Sequence, residues 1–389
     1  MRSEFLPYCR PSVDHADIYA VVDALNNGWL TTGPKVAQFE AAFAERSGVK
    51  HAIALNSCTA GLHLAMIALG IGPGDEIVMP SLTFVAGALC ALHVGAKPVF
   101  CDVDPKTLCA SAETIAAVTT ERTRLIISMG FAGRPAGIES ILAFADSRGI
   151  PVIEDAALNA GTLDNGAWAG ARSKAAVYSF YATKNINTAE GGMLLTNDDE
   201  LARKVRALSL HGMTRDAWRR YQQGGTWRYD IVVEGHKYNM PDITAALGIM
   251  QLARLDAMQI RRMELARYYI TALRELPGLT PAATAGMRST DRHSWAFFPI
   301  LVDRAELGVS RDEIIELLAS ENIGTSVHYI PTHHFTLFRD YEHGDLSTTD
   351  AIFEQIMSLP LYPSMSLSDV DDVLIALKRS VMRSRSIAL

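Results

Sequence analysis

The chain has 389 residues, 49% hydrophobic and 20% charged, enough for one large core and a second smaller one. A formal net charge of -7 argues against a nucleic-acid surface, no run of about 18 apolar residues suggests a membrane span, and the opening MRSEFLPYCRPSVD has no apolar signal segment. The cysteines Cys9, Cys58, Cys90, Cys101 and Cys109 form no CxxC and no zinc spacing with histidine, so the expectation is no metal site and a reducing, cytoplasmic setting.

Residues 1–35 end in GWLTTGPK, where Asn26, Asn27, Gly28, Thr31, Thr32, Gly33 and Pro34 read as a loop with Trp29 turned inward. VAQFEAAFAER (36–46) puts Val36, Phe39 and Phe43 on one helical face. HAIALN (51–56) is a short buried strand. It runs into SCTAGLHLAMIALG, where Ser57 and Thr59 suit an N-cap and the apolar run to Leu69 ends at Gly70. Free amides at that helix start and the Thr59 hydroxyl can hold a phosphate; a plain capping sequence is the alternative.

The same alternation continues. Strands 76–79, 97–102, 124–129 and 151–154 are separated by helices near 84–93 and in IESILAFADSRGI, with a loop and helix in DPKTLCASAETIAAVTT. Strands apolar on both faces and alternating with helices predict a mainly parallel sheet covered on both sides. Ligands of such sheets lie outside the carboxyl ends of the strands, which makes Asp155 a candidate. Glu154 is its neighbour, and of two adjacent strand-end acids at most one faces the pocket.

AVYSFYATKNINTAEGGMLLTN (176–197) carries a single lysine, Lys184, in a run otherwise uncharged from Ala175 to Ala189. An ammonium beside buried strands is costly unless paired or used. A desolvated lysine is a good amine nucleophile and can hold an aldehyde as a Schiff base. A surface-loop lysine, or an ion pair with Glu190, is the alternative. DDELARKVRALSLHG is a helix, and TRDAWRRYQQGGTWRYD reads as an exposed excursion, less well as a nucleic-acid patch. A helix starts near Pro241, with Asp242 at its positive end. A long amphipathic helix over 254–276 bridges to a smaller α+β domain, so the division is 1–253 and 254–389. There SWAFFPILV and TSVHYI read as strands, and RDEIIELLASENI and DVDDVLIALKRSVM as helices.

Together these pieces suit one cofactor. Lys184 offers an amine for an aldehyde, residues 57–60 a nest for a phosphate, and Asp155 a carboxylate for a pyridine nitrogen. Phe84, just after a strand, can lie flat on a ring. That is the requirement set of pyridoxal phosphate. A dinucleotide site fits poorly, because no strand is followed by GxGxxG.

On NSCTAGLHLA (56–65), FAGRPA (131–136), IEDAA (153–157), SFYATKN (179–185), EGGM (190–193), KYNMPDITAALG (237–248) and TSVHYIPTH (325–333), the chain resembles the DegT/DnrJ/EryC1/StrS family of sugar aminotransferases. The resemblance runs from GWLTTGPKVAQFE (28–40) to LPLYPSM (359–365). It implies the three-layer α/β architecture of pyridoxal-phosphate fold type I, aspartate aminotransferase-like, plus a smaller C-terminal α+β domain. It implies Lys184 as the catalytic lysine that binds the aldehyde and moves the proton. It also implies Asp155 at the pyridine nitrogen, Phe84 on the ring, Leu158 beside it, and Ser179, Thr59 and the amide of Ala60 at the phosphate. Asn239 would reach the phosphate from the other subunit of a homodimer. Trp29, Thr31, His328, Tyr329 and His333 would stand near the substrate.

The sequence departs from the family where Leu158 replaces Gln or His, Gly130 a histidine, Gly137 an aspartate and Ala182 a proline. Leucine makes no side-chain hydrogen bond, so Asn159 is a possible substitute. The activity implied is transfer of an amino group from L-glutamate to a keto sugar carried on a nucleotide, with pyridoxamine phosphate as the intermediate cofactor form. No nucleic-acid or membrane partner is expected. The alternatives are a non-nucleotide cyclic ketone such as a keto-cyclitol, or a cofactor-bound regulator without turnover.

Overall fold

The computed structural model describes residues 2–214 and 227–387. Most of the exposed excursion expected within 214–230 therefore lies outside the described residues. The larger sheet has seven strands in the order β1-β9-β8-β5-β4-β2-β3. They are β1 (His51–Leu55), β2 (Glu76–Pro80), β3 (Lys97–Cys101), β4 (Thr123–Met129), β5 (Val152–Asp155), β8 (Ala175–Ser179) and β9 (Gly192–Thr196). β9 pairs antiparallel with both neighbours, and the remaining pairings, β8 to β5, β5 to β4, β4 to β2 and β2 to β3, are parallel. Only β9 thus runs against the rest. A small hairpin, β6 (Leu163–Asp164) with β7 (Ala167–Trp168), stands apart.

Helices cover both faces. They are α1 (His15–Asn26), α2 (Pro34–Ser47), α3 (Cys58–Ala68), α4 (Ala86–His93), α5 (Ala112–Ala116), α6 (Ile138–Arg148), α7 (Asp199–Ser209), α8 (Asp242–Ala253) and α9 (Leu255–Leu273). The alternation of side chains along β8 shows the two layers. Val177 packs with Leu62, Leu64 and Val205 under α3 and α7. Tyr178 packs with Phe39, Phe43 and Leu252 under α2 and α8. Each fully buried Leu or Phe contributes about 1.5–3 kcal/mol, so the sheet is held from both sides.

The second, antiparallel sheet is β10 (Leu279–Pro281), β11 (Phe298–Val302) and β12 (Ile356–Leu359). It carries α10 (Arg304–Leu307), α11 (Arg311–Ser320), α12 (Ser347–Phe353) and α13 (Leu367–Ile387). Its core joins Phe298, Ile300, Met357 and Leu359 to Leu265 and Tyr269 of α9 and Val373 and Leu377 of α13.

Residues 15–26, for which the sequence pattern makes no assignment, form α1, because Asp14 and Asp17 make a capping box at its start. Two expectations change. TSVHYI is not a strand: only Ser326 pairs, in an isolated bridge to Ser358, and the His328–Tyr329 peptide is cis. The strand in SWAFFPILV begins at Phe298, because Ser294 and Ala296 give their amides to Gly133 and Ala132 instead. No helix among the described residues is long and apolar enough to cross a membrane.

Candidate active site

The carboxyl ends of β1, β2, β4, β5 and β8 and the amino end of β9 meet at one edge of the larger sheet. The chain leaving each strand there supplies one part of a pocket. β8 runs into the turn bearing Lys184, whose amide donates to the Tyr181 carbonyl at 2.9 Å, and the excursion closes where Thr188 N–H donates to Phe180 O at 2.8 Å. Its small polar residues are anchors. Asn185 Nδ2 donates to Ser294 O at 2.8 Å, and Asn187 Nδ2 to Gln251 Oε1 at 3.1 Å. Glu190 is exposed, and no ion pair joins it to Lys184. Lys184 is thus not the ion-pair partner of Glu190.

Asp155, at the end of β5, is 5% exposed. Its Oδ1 accepts from Ala157 N–H at 3.1 Å and from the Cys58 thiol at 3.8 Å. Oδ2 has no partner among the described residues. Burial pushes the Asp155 carboxyl up, opposed by the Ala157 amide and the charge of Lys184. Burial pushes the Lys184 amine down, opposed first by Asp155 and then by Cys58 and Cys9. Each group is therefore the other's electrostatic counterweight in a poorly hydrated space. Burial drives the Cys58 thiol well up, so it is a neutral donor and not a nucleophile.

At the α3 end, Ser57 is the N-cap and accepts from Ala60 N–H at 3.0 Å. The amide expected to cradle an anion is thus already capped, and the uncommitted first-turn amides are those of Cys58 and Thr59. Thr59 is exposed beside them. Ser179 ends β8 with its Oγ accepting from Tyr181 N–H at 3.3 Å. Phe84 follows β2 and is 59% exposed, a large aromatic ring standing over the pocket without cover.

The opposite wall is aromatic. The Phe84 and Tyr329 rings are 6.3 Å apart, and Tyr329 meets Phe131 and Phe297 edge-on at 6.4 Å each. His328 stacks on Phe297 at 4.0 Å, and its Nδ1 lies 2.8 Å from Ser358 Oγ. Burial and the nearby Lys184 charge hold the His328 imidazole down at about 3, so it is neutral. Leu158 is buried in this wall beside Phe131, Phe297 and Tyr329. Asn159 does not replace a polar side chain there: its Nδ2 donates to Arg134 O at 2.9 Å and Thr162 Oγ1 at 3.3 Å. Gly130 has a steric reason, since a Cβ would meet Arg134 O at 2.2 Å and Asn159 Nδ2 at 2.4 Å. Gly137 sits at φ +69°, a conformation an aspartate strains to adopt.

Lys184, Asp155, Ser179, Thr59, Ala60, Phe84, Leu158, His328 and Tyr329 thus gather around one edge. Trp29, Thr31 and Asn239 cluster with one another beside the end of β1: Trp29 Nε1 donates to Thr32 O at 3.0 Å, Asp242 N–H to Thr31 O at 3.2 Å, and Asn239 Nδ2 to Thr32 Oγ1 at 2.6 Å. Asn239 bridges Leu55 of its own chain. His333 is drawn to Ser81 instead. Sequence reasoning missed Tyr8 and Cys9. Cys9 Sγ donates to Thr183 O at 3.5 Å, one residue before the lysine, and the Tyr8 ring packs against His328 at 5.7 Å. No local signal marks them, because the N-terminal segment reaches the site through its pairing with residues 322–324.

Comparisons with known proteins bear on the family and the fold. The model of the DegT/DnrJ/EryC1/StrS aminotransferase family matches residues 11–378. Spore coat polysaccharide biosynthesis protein SpsC of Bacillus subtilis is 46% identical over 381 residues, 97% of each chain. Spr1654 of Streptococcus pneumoniae superposes in its PMP form with a TM-score of 0.90 at 30% identity, covering 97% of this chain and 100% of that one. Its PLP form gives 0.89 at 29%, covering 98% and 99%. DesI, solved in the presence of its TDP-sugar product, gives 0.88 at 30%, covering 100% of this chain and 95% of that one. The mostly parallel sheet between helical layers is the fold type I aminotransferase architecture.

Proposed function

The chain belongs to the DegT/DnrJ/EryC1/StrS aminotransferase family, and on that premise we propose that it moves an amino group from L-glutamate to a nucleotide-linked 4-keto or 3-keto deoxysugar. It is a pyridoxal-phosphate-dependent sugar aminotransferase. The observation that carries the finer reading is the half-buried Lys184 set against the buried Asp155 at the strand ends, beside the exposed ring of Phe84.

The residues present fit pyridoxal phosphate. Asp155 Oδ2 is open to a protonated ring nitrogen, Phe84 to a ring face, and the Cys58 and Thr59 amides with the Ser179 hydroxyl to a phosphate. When bound, that cofactor supplies an aldehyde for the donor's amino group and an electron-poor ring for the charge left when a proton departs. Lys184 Nζ, made less basic by burial, is the amine able to hold the aldehyde carbon. It is also the base able to take a proton from the donor's α carbon and return it. Asp155 holds a negative charge where the ring nitrogen needs it. The aromatic wall of Phe131, Phe297 and Tyr329 keeps water from that side. A homodimer working in the cytoplasm belongs to the same reading.

The test is the visible spectrum of the purified protein before and after excess L-glutamate, with 2-oxoglutarate measured alongside. A yellow band that bleaches as one keto acid forms per site is the expected result. A band that glutamate leaves unchanged overturns the donor assignment. Lys184→Ala should lose turnover by about four orders of magnitude; multiple turnovers at the wild-type rate in that variant would sink the role given to the lysine. A panel of nucleotide-linked keto sugars against free cyclic ketones then tests the acceptor.

A further inference from the structure

Beyond the pocket, one group of side chains has the composition of a cation site. His333 and His334 end the short 3-10 turn Thr332–His334, and Asp350 faces them from α12. His333 Nε2 lies 3.1 Å from Asp350 Oδ1, and His334 Nε2 lies 2.8 Å from the same oxygen. One ligand atom from each residue lies within 4.8 Å of the others. Two imidazole nitrogens and a carboxylate oxygen, each about 2.0–2.2 Å from a common ion, stand about 3.3 Å apart in a tetrahedral arrangement. The two nitrogen-to-oxygen distances, 3.1 and 2.8 Å, are those of hydrogen bonds, which an ion would open by a few tenths of an ångström to reach that spacing.

The outer contacts match as well. His333 Nδ1 lies 2.7 Å from Ser81 Oγ, and a ligating histidine needs such a partner on its second nitrogen to fix ring and tautomer. Thr332 N–H also donates to Ser81 O at 2.9 Å, so the turn is fastened to the end of β2 before any ion arrives. His334 and Asp350 have side chains 35% and 50% exposed, which gives an ion a path in and leaves room for water as the remaining ligand.

We propose that His333, His334 and Asp350 form a binding site for a divalent transition-metal ion of zinc type. Imidazole and carboxylate ligands suit zinc and its neighbours better than magnesium or calcium, which prefer an all-oxygen shell. A bound ion clasps α12 to the segment that carries Tyr329 and, through Ser81, to the turn leading to Phe84. The site is separate from Lys184 and needs no cofactor.

The test uses the full chain, free of any histidine tag and stripped with a chelator, titrated with Zn2+ by calorimetry and checked by metal analysis after desalting. One Zn2+ per chain is expected, with Mg2+ failing to compete. His334→Ala and Asp350→Asn, both at exposed positions, should each weaken Zn2+ binding at least tenfold and abolish the rise in melting temperature that Zn2+ gives the wild type. Circular dichroism of the metal-free variants checks that they fold. Absence of stoichiometric Zn2+ uptake by the wild-type chain, or uptake unchanged in both variants, overturns the site.

Discussion

Glu154 and Asp155 are consecutive, both buried, and both carboxyls are raised by desolvation, yet their surroundings differ. Alternation along β5 sends them to opposite faces of the sheet. Asp155 points into the layer with Cys58, keeps one oxygen open and feels Lys184. Glu154 points into the layer with Tyr178, where Ser173 Oγ donates to its Oε1 and burial lifts it to about 7. Burial and a perturbed acidity are shared, so neither identifies a site. What separates the two is the neighbour: Asp155 feels the amine of Lys184, whereas Glu154 is held by the Ser173 hydroxyl and feels Arg172 only weakly.

The comparison breaks first at turnover. Asp155→Asn keeps size and burial but removes the charge. Amino transfer should then fall by about two to three orders of magnitude, the scale of losing one fixed electrostatic partner. Glu154→Gln should leave steady-state turnover within about twofold. Equal losses in the two variants would dissolve the distinction drawn between them.

The second break is in stability against pH. The Glu154 carboxyl binds its proton more tightly folded, at about 7, than unfolded, at the ordinary 4.5. Its contribution is fully favourable below about 4.5 and is lost as pH rises through about 7, because the folded protein must then bury a charge. That gap corresponds to roughly 3 kcal/mol. Glu154→Gln removes the titration, so urea unfolding at pH 5 and pH 8 should show the variant gaining on the wild type at the higher pH. A wild-type curve with no such fall, or a variant that follows it, contradicts the assignment.

The strand ends were readable because the larger sheet obeys simple rules. Apolar runs of about five residues make the strands, and the residues that follow them, Thr59, Phe84, Asp155 and Lys184, fall on one edge by topology. What escaped did so for physical reasons. α1 shows Ile18, Tyr19, Val22 and Leu25 to solvent and buries Asp17, whose carboxylate pairs with Arg254 and accepts from Gln251. Its apolar stripe faces the wrong way for a helix recognised by burial. TSVHYI has strand composition, but its backbone pairs at one residue only, so composition alone misled. Cys9 reaches the lysine turn from 174 residues away, a contact no local pattern encodes. The amide of Ala60 is not open to an anion, because the N-cap serine three residues earlier already holds it.

The smallest expected effect gives the finest separation between structure and function. Phe84 and Phe131 both stand at the pocket, but Phe131 is fully buried and Phe84 is 59% exposed. An exposed ring contributes little to folding, so Phe84→Ala should change unfolding free energy by less than about 0.5 kcal/mol. Its ring is nevertheless placed to lie against a flat aromatic cofactor, a contact worth about 0.5–1.5 kcal/mol beyond the area it covers. Retention of pyridoxal phosphate, followed by absorbance after dilution, should therefore weaken by roughly threefold to tenfold in Phe84→Ala. Phe84→Tyr, which keeps the ring, should restore it. Weakened retention together with a matching loss of stability would mean that Phe84 serves the fold. Weakened retention at unchanged stability is the outcome that assigns it, like Asp155 and unlike Glu154, to the site.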